Sequence, residues 1–294
     1  MFTLPFIFLL CLYLPSSNPQ DFTPRLLNAE IAEKDQFPYV VRLYSLTRIG
    51  NQISVGSCTG TIIDHDVILT AAHCVDSSSE MYVFHGDPDH SDVIESKVKC
   101  VNTEKHYCYK VKERIPHRQY QWHGKQQYDV ALLKLETPML ESDNHKIFNC
   151  SKLGSGDSQD CTLLGWGISE GDTSDNRLHY KTGIKTKMCK FKWHLPQHIC
   201  LIGHHVCKGD SGGPLICNNM IYGVASFATY KSEGSNKDIM CEDYLEDYYT
   251  PTALVRNFLI KYGVCKSPTV RVEIFTNLVV FFHLIYFYFI MYGS

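Results

Sequence analysis

Residues 207–214 read CKGDSGGP: a cysteine, an acid, a serine and a glycine pair, in a stretch too rich in glycine to hold a helix. A serine on a tight turn stands bare, with the backbone N–H groups of its neighbours aimed at one point in space. An acyl-transfer nucleophile needs that arrangement. An ordinary Asp-Ser-Gly turn uses the same residues, so the rest of the chain must decide between the two.

Around this stretch, short β-type runs alternate with turn signals: YVVRLYS from Tyr39, GTIID from Gly60, VALLKLE from Val130, CTLLGWG from Cys161 and PLICNNMIYGVAS from Pro214. In the last run, Asn218 and Asn219 separate two apolar segments and predict a hairpin turn. Long helical periodicity is missing. The one convincing helix is TALVRNFLIKYG from Thr252, where Ala253, Leu254, Val255, Phe258, Leu259 and Tyr262 offer an apolar face. The pattern predicts an all-β chain, as antiparallel barrels or a sandwich, with one terminal helix.

The ends read differently. MFTLPFIFLLCLYLPSSNPQ has an apolar core from Phe6 to Leu14 and suits a secretory signal peptide over 1–17, although the first cation is Arg25. A short buried strand is the competing reading. Of thirteen cysteines, an even twelve remain once Cys11 is set aside, in a route that permits disulfides. No CxxC pair occurs, which weakens zinc ligation. Residues 266–273 read as a linker, and IFTNLVVFFHLIYFYFIMY, 274–292, is almost wholly apolar. At about 1.5 Å per residue it would just cross a hydrocarbon core of roughly 30 Å. It reads as a membrane-spanning anchor or as the removable signal of a lipid anchor attached near Ser267, against a buried terminal element. The formal net charge is −3 and the cations are scattered, so a nucleic-acid footprint is not indicated.

Two further segments bear on the serine: VILTAAHC, ending at Cys74, and YDVALLKL from Tyr128. One histidine among fourteen says little. An aspartate at a strand start is usually a turn residue. Yet His73, Asp129 and Ser211 occur in one of the known triad orders, each inside an extended motif. The chemistry needs all three types. A serine hydroxyl is a poor nucleophile at neutral pH, a histidine has the pKa to take its proton, and the resulting imidazolium needs a carboxylate.

AAHC and GDSGGP in that order resemble the chymotrypsin-like (trypsin-like) serine proteases, over roughly residues 26–265. The resemblance implies two six-stranded antiparallel β-barrels followed by a C-terminal helix. It implies a secreted endopeptidase that needs no cofactor or metal and acts on protein or peptide substrates, with protein inhibitors as further partners. By the same carry-over His73 is the general base, Asp129 fixes its tautomer, Ser211 attacks, and the N–H groups of Gly209 and Ser211 form the oxyanion hole. It also implies a zymogen with a short propeptide, 18–25. An activating protease would cut between Arg25 and Leu26, and the freed Leu26 ammonium would pair with Asp210. Here the new terminus reads LLNA where IVGG is usual.

Cysteine pairing follows from the resemblance at four places: Cys58 with Cys74, Cys161 with Cys217, Cys189 with Cys200 and Cys207 with Cys241. Cys100, Cys108, Cys150 and Cys265 stay open, with a local Cys100–Cys108 loop as one arrangement. Asn149-Cys150-Ser151 is a glycosylation sequon with an unfavoured middle residue. The family's pocket-floor position falls on His205, where a mostly neutral imidazole does not hold a basic side chain as an aspartate does. Ser226, Phe227 and Ala228 would form the wall that pairs with substrate backbone, and Asp247 would stand opposite. These departures imply an atypical or narrow preference. His198, His204 and His205 also invite a metal reading, but no acid or thiolate stands free beside them. The rival from another class is a non-catalytic homologue that keeps the barrels as a binding module, secreted or tethered at the cell surface by its tail.

Overall fold

The computed structural model describes residues 29–75, 80–86, 106–120, 128–140, 154, 156–167, 177–189, 198–202, 206–230 and 244–264. The signal, propeptide, linker and C-terminal segments lie outside these, as do Leu26, Cys100, Asn149, Cys150, His204, His205, Cys241 and Cys265.

Two closed antiparallel barrels account for nearly all the strands. The first contains β2 (Val40–Ile49), β3 (Gln52–Asp64), β4 (Val67–Thr70), β5 (Glu80–Gly86), β6 (His106–Pro116) and β7 (Ala131–Leu135). Its order is β2-β3-β4-β7-β6-β5, closed by pairing of β2 with β5. The second contains β8 (Ser158–Gly165), β9 (His179–Cys189), β10 (His198–Ile202), β11 (Pro214–Cys217), β12 (Met220–Tyr230) and β13 (Tyr244–Pro251). It runs β9-β10-β13-β12-β11-β8 and closes through β8 and β9, while β1 (Glu30–Ile31) adds to the edge of β9. Closure leaves few open edges.

Side-chain pattern explains which strands line what. VILT of β4 is buried at all four positions, because one face fills the barrel and the other is covered. PLIC of β11 behaves likewise. Leu215 and Cys217 belong to the cluster inside the second barrel, whereas Ile216 faces the larger cluster that also holds Leu43, Ile68 and Leu132 of the first. That larger core continues through Trp166, Val224 and Leu259, so the barrels share one apolar seam.

Asn218 and Asn219 have φ of 52° and 59°, and they turn β11 directly into β12 as a two-residue hairpin. Asparagine tolerates this left-handed backbone better than most residues. The terminal helix is shorter than its sequence pattern. Thr252–Val255 is a 3₁₀ turn and only Arg256–Lys261, α1, is α-helical. Pro251 supplies no side-chain cap, and the Thr252 hydroxyl donates to the Ile221 carbonyl instead of capping. Phe258 and Leu259 still bury against the seam, and Gly263 at φ 75° ends the helix in the left-handed conformation typical of a C-terminal stop.

Candidate active site

The seam between the barrels is where the singled-out residues meet. After β4 the chain passes through Ala71, wholly buried, into a 3₁₀ turn, Ala72–Val75, that carries His73. A disulfide from Cys58 to Cys74 ties this turn to β3. The His73 amide N–H donates to Asp129 Oδ1 at 2.9 Å and its Nδ1 lies 2.7 Å from Oδ2. Ser226 Oγ donates to the same Oδ2 at 2.6 Å. Asp129 is only 1 % exposed, so these three donors replace the water its carboxylate has lost. A carboxylate beside Nδ1 keeps the ring proton there. Nε2 is left with its lone pair.

Asp129 is aimed by an unusual residue. Tyr128 has φ 52°, a left-handed backbone that costs a non-glycine residue about 1 kcal/mol. Its ring stacks on His117 at 4.8 Å, and His117 meets Phe258 of α1 edge-on at 4.9 Å. The C-terminal helix thereby helps to hold a strained residue next to the acid.

Ser211 comes from the second barrel. Gly209 at φ 97° and Gly212 at φ 82° bend the chain on either side of it. Any side chain at Gly212 would run into the Thr70 hydroxyl and the Thr59 carbonyl, so glycine is required there. The turn is bonded in both directions. Gly212 N–H donates to Ala225 C=O at 2.9 Å, and Ser211 C=O accepts the Thr59 N–H across the seam at 2.8 Å. Cys74 Sγ lies 3.6 Å from the same carbonyl, which places the serine backbone beside the histidine turn. Ser211 is half-buried. Among the described residues its hydroxyl and the His73 imidazole are not hydrogen-bonded to each other.

Asp210 points the other way. It is 1 % exposed, and its carboxylate accepts the Gly167 N–H at 2.7 Å and the Cys207 N–H at 2.8 Å. A Cβ at Gly167 would stand 2.6 Å from that carboxylate, so the missing side chain is what lets the acid in. Arg25 and Leu26 lie outside the described residues.

Of the pocket candidates, Phe227 stacks flat on Tyr248 at 4.6 Å, with His198 edge-on to both. Ala228 pairs with Asp247 across β12 and β13. Asp247 is fully buried and shares its strand face with Tyr249. Burial pushes the Tyr249 phenol well up, and the Asp247 and Asp210 carboxylates push it further. Burial lowers the Lys181 ammonium, an effect Asp247 opposes. The carboxylate on the Phe227–Tyr248 face is the neighbouring Glu246, which accepts the Tyr248 hydroxyl at 2.6 Å. Sequence reasoning did not single it out, nor the bond from Ser226 to Asp129.

Three disulfides join the cysteines as the resemblance implies: Cys58–Cys74, Cys161–Cys217 and Cys189–Cys200. Cys108 and Cys207 are disulfide-bonded as well. Cys58, His73 and Cys74 cluster as metal ligands would, with donor atoms within 4.8 Å of one another, but both sulfurs are spent in a disulfide and offer no thiolate. Oxidised cysteines fit an extracellular protein. Among the described residues no helix is long and apolar enough to cross a membrane.

The family model for trypsin matches residues 28–248. The chain belongs to the trypsin family. Within the family it is 29 % identical over 216 residues to serine protease SP24D of Anopheles gambiae, covering 69 % of this chain and 71 % of that protein. To melanization protease 1 of Drosophila melanogaster it is 27 % identical over 243 residues, 71 % of this chain and 58 % of the other. The trypsin fold is matched by solved structures too. Neuropsin from mouse brain superposes with a TM-score of 0.59 at 21 % identity, covering 80 % of this chain and 99 % of neuropsin. Human heparin binding protein gives 0.58 at 21 % identity, covering 80 % and 95 %. At that identity the likeness concerns the fold alone.

Proposed function

We propose that this trypsin-family member is a serine endopeptidase that works through an acyl-enzyme. The observation that carries the reading is the Asp129 carboxylate, buried and bonded to both the backbone and the ring of His73. It holds the proton on Nδ1 and leaves Nε2 to act as base. As Ser211 Oγ attacks a peptide carbonyl, Nε2 takes its proton and the carbonyl oxygen becomes an oxyanion facing the Gly209 and Ser211 N–H groups. The imidazolium, steadied by Asp129, gives that proton to the leaving amine. Water then repeats the sequence on the acyl-Ser211 ester. Catalytic hydrogen bonds in free enzymes are often long and tighten on substrate, so the open His73–Ser211 contact is compatible with this role.

The proposal extends to activation and location. Cleavage after Arg25 would free the Leu26 ammonium to join Asp210, whose carboxylate already sits buried behind the serine turn. The chain would be exported by its 1–17 signal, glycosylated at Asn149, and carried to the cell surface where the 274–292 tail is kept or exchanged for a lipid. Substrate preference is assigned to His205, Ser226, Phe227 and Ala228, and to Asp247 from the face of β13 opposite to Glu246. Undiminished Lys or Arg cleavage by Asp247→Ala would remove Asp247 from that set.

The LLNA terminus favours a second reading, a non-catalytic homologue that binds protein partners. One experiment separates the two. The full chain, cleaved after Arg25, is treated with a fluorophosphonate probe and a peptide library. Labelling of Ser211 and peptide hydrolysis, both abolished in Ser211→Ala, support the enzyme. Absence of labelling and hydrolysis in the wild-type chain supports the binder.

A further inference from the structure

Thr59 lies in the middle of β3, wholly buried where the two barrels face each other. All of its polar atoms are engaged. Its amide N–H donates to the Ser211 carbonyl at 2.8 Å and its hydroxyl donates to the Gly209 carbonyl at 2.9 Å. The same hydroxyl accepts the Trp166 N–H at 2.9 Å, and the Thr59 carbonyl accepts the Thr70 hydroxyl at 2.8 Å. One residue of the first barrel therefore grips the serine turn of the second at positions 209 and 211, on both sides of Asp210. Its Cγ2 fills the space beside Gly213, where a Cβ would stand 3.3 Å away.

Gly209 needs such a grip. At φ 97° it has no side chain to restrict it, and several backbone conformations are open to it. The Gly209 carbonyl belongs to the peptide plane between the two planes that carry the Gly209 and Ser211 N–H groups. Fixing the middle plane fixes the pivot for both neighbours. The hydroxyl can do this with a defined direction, because it accepts the Trp166 N–H on one lone pair and directs its single proton to the Gly209 carbonyl.

We propose that the Thr59 hydroxyl is a positioning residue for acyl transfer, holding the Gly209–Asp210 peptide so that the two flanking N–H groups converge on one oxyanion. The proposal rests on the reading of Ser211 as nucleophile given above.

The test compares the full chain, cleaved after Arg25, as wild type, Thr59→Val, Thr59→Ser and Thr70→Val. Valine keeps the shape and the backbone bond to Ser211 but removes the hydroxyl. Its kcat should fall about 10–50-fold at near-constant KM, less than the roughly 10²–10³-fold of a lost oxyanion donor. Amide hydrogen exchange across 207–213 should quicken in the same variant. Serine should restore both readouts, and Thr70→Val should change neither. Wild-type kcat and exchange in Thr59→Val would overturn the proposal, as would an equal loss in Thr70→Val, which would trace the effect to barrel packing. Should valine prevent folding, Thr59→Ala replaces it under the same criteria. Exchange needs no turnover, so it still decides the matter if the wild-type chain neither labels nor hydrolyses, an outcome that would sink the endopeptidase reading instead.

Discussion

The two barrels contribute to the seam by different means. On the first, His73 and Asp129 sit at the ends of well-packed strands and are bonded to each other through both backbone and side chain. On the second, Ser211 rides a turn shaped by two glycines at positive φ and anchored by bonds to residues of the opposite barrel. The His73–Asp129 pair is thus bonded mainly within its own barrel, with Ser226 of β12 adding a bond from the other. The Ser211 turn relies instead on the buried Asp210 carboxylate and on two bonds from Thr59 of the opposite barrel. Under the proposed activation after Arg25, the first half would be ready while the second is switched.

Four substitutions bear on that contrast. Asp129→Asn should have the largest effect, since an amide cannot hold the Nδ1 proton in the same way. The size established for this substitution in the family is about 10⁴-fold in kcat, and the chain's folding should be little changed. A small effect would mean that the first-barrel half is not the proton-handling half. Under the proposed activation, Asp210→Asn should lower the activity of the cleaved chain by about 10²–10³-fold, because breaking its buried pair with the Leu26 ammonium on one side would lose roughly 3–4 kcal/mol. The His73–Asp129 pair should persist in that variant, visible as an unchanged downfield imidazole proton resonance. Loss of the resonance together with activity would erase the difference between the halves.

Ser226→Ala removes one of three donors from Asp129. A hydrogen bond to a charged acceptor contributes about 1.5 kcal/mol, so kcat should fall roughly tenfold while Thr59 and the serine turn are untouched. An unaltered rate would restrict Ser226 to the substrate wall. The smallest effect belongs to Asn219→Ala, in the hairpin away from the seam. Alanine at φ 59° should reduce stability by about 1 kcal/mol, seen as a lower Tm, with no change in kcat.

Features set by local chemistry were the ones legible in the chain. The β11–β12 hairpin follows from Asn218-Asn219, and the triad candidates from AAHC and GDSGGP. Strands β6 and β9 were not legible. HYCYKVKERIP is interrupted by two Lys, a Glu and an Arg and HYKTGIKTKMC by three Lys, and only scattered positions such as Tyr109, Ile115 and Ile184 put an apolar side chain in the core. The α-helix was overread because the apolar face beginning at Thr252 belongs partly to a 3₁₀ turn. In the site, the role of the Ser226 hydroxyl and the grip of Thr59 arise from partners 97 and 150 residues away. No periodicity or short motif encodes a contact that only barrel docking creates. Glu246 escaped for a simpler reason: one residue of register decides which face of β13 a carboxylate takes.

The central claim is that His73 and Ser211 form one proton-passing unit. It is tested most directly by a crystal structure of the Arg25-cleaved protein reacted with a peptidyl phosphonate. The account predicts phosphorus bonded to Ser211 Oγ, with His73 Nε2 within about 3.2 Å of the adduct and a phosphonyl oxygen against the Gly209 and Ser211 N–H groups. An unmodified Ser211, or an imidazole turned away beyond hydrogen-bonding reach, would contradict it.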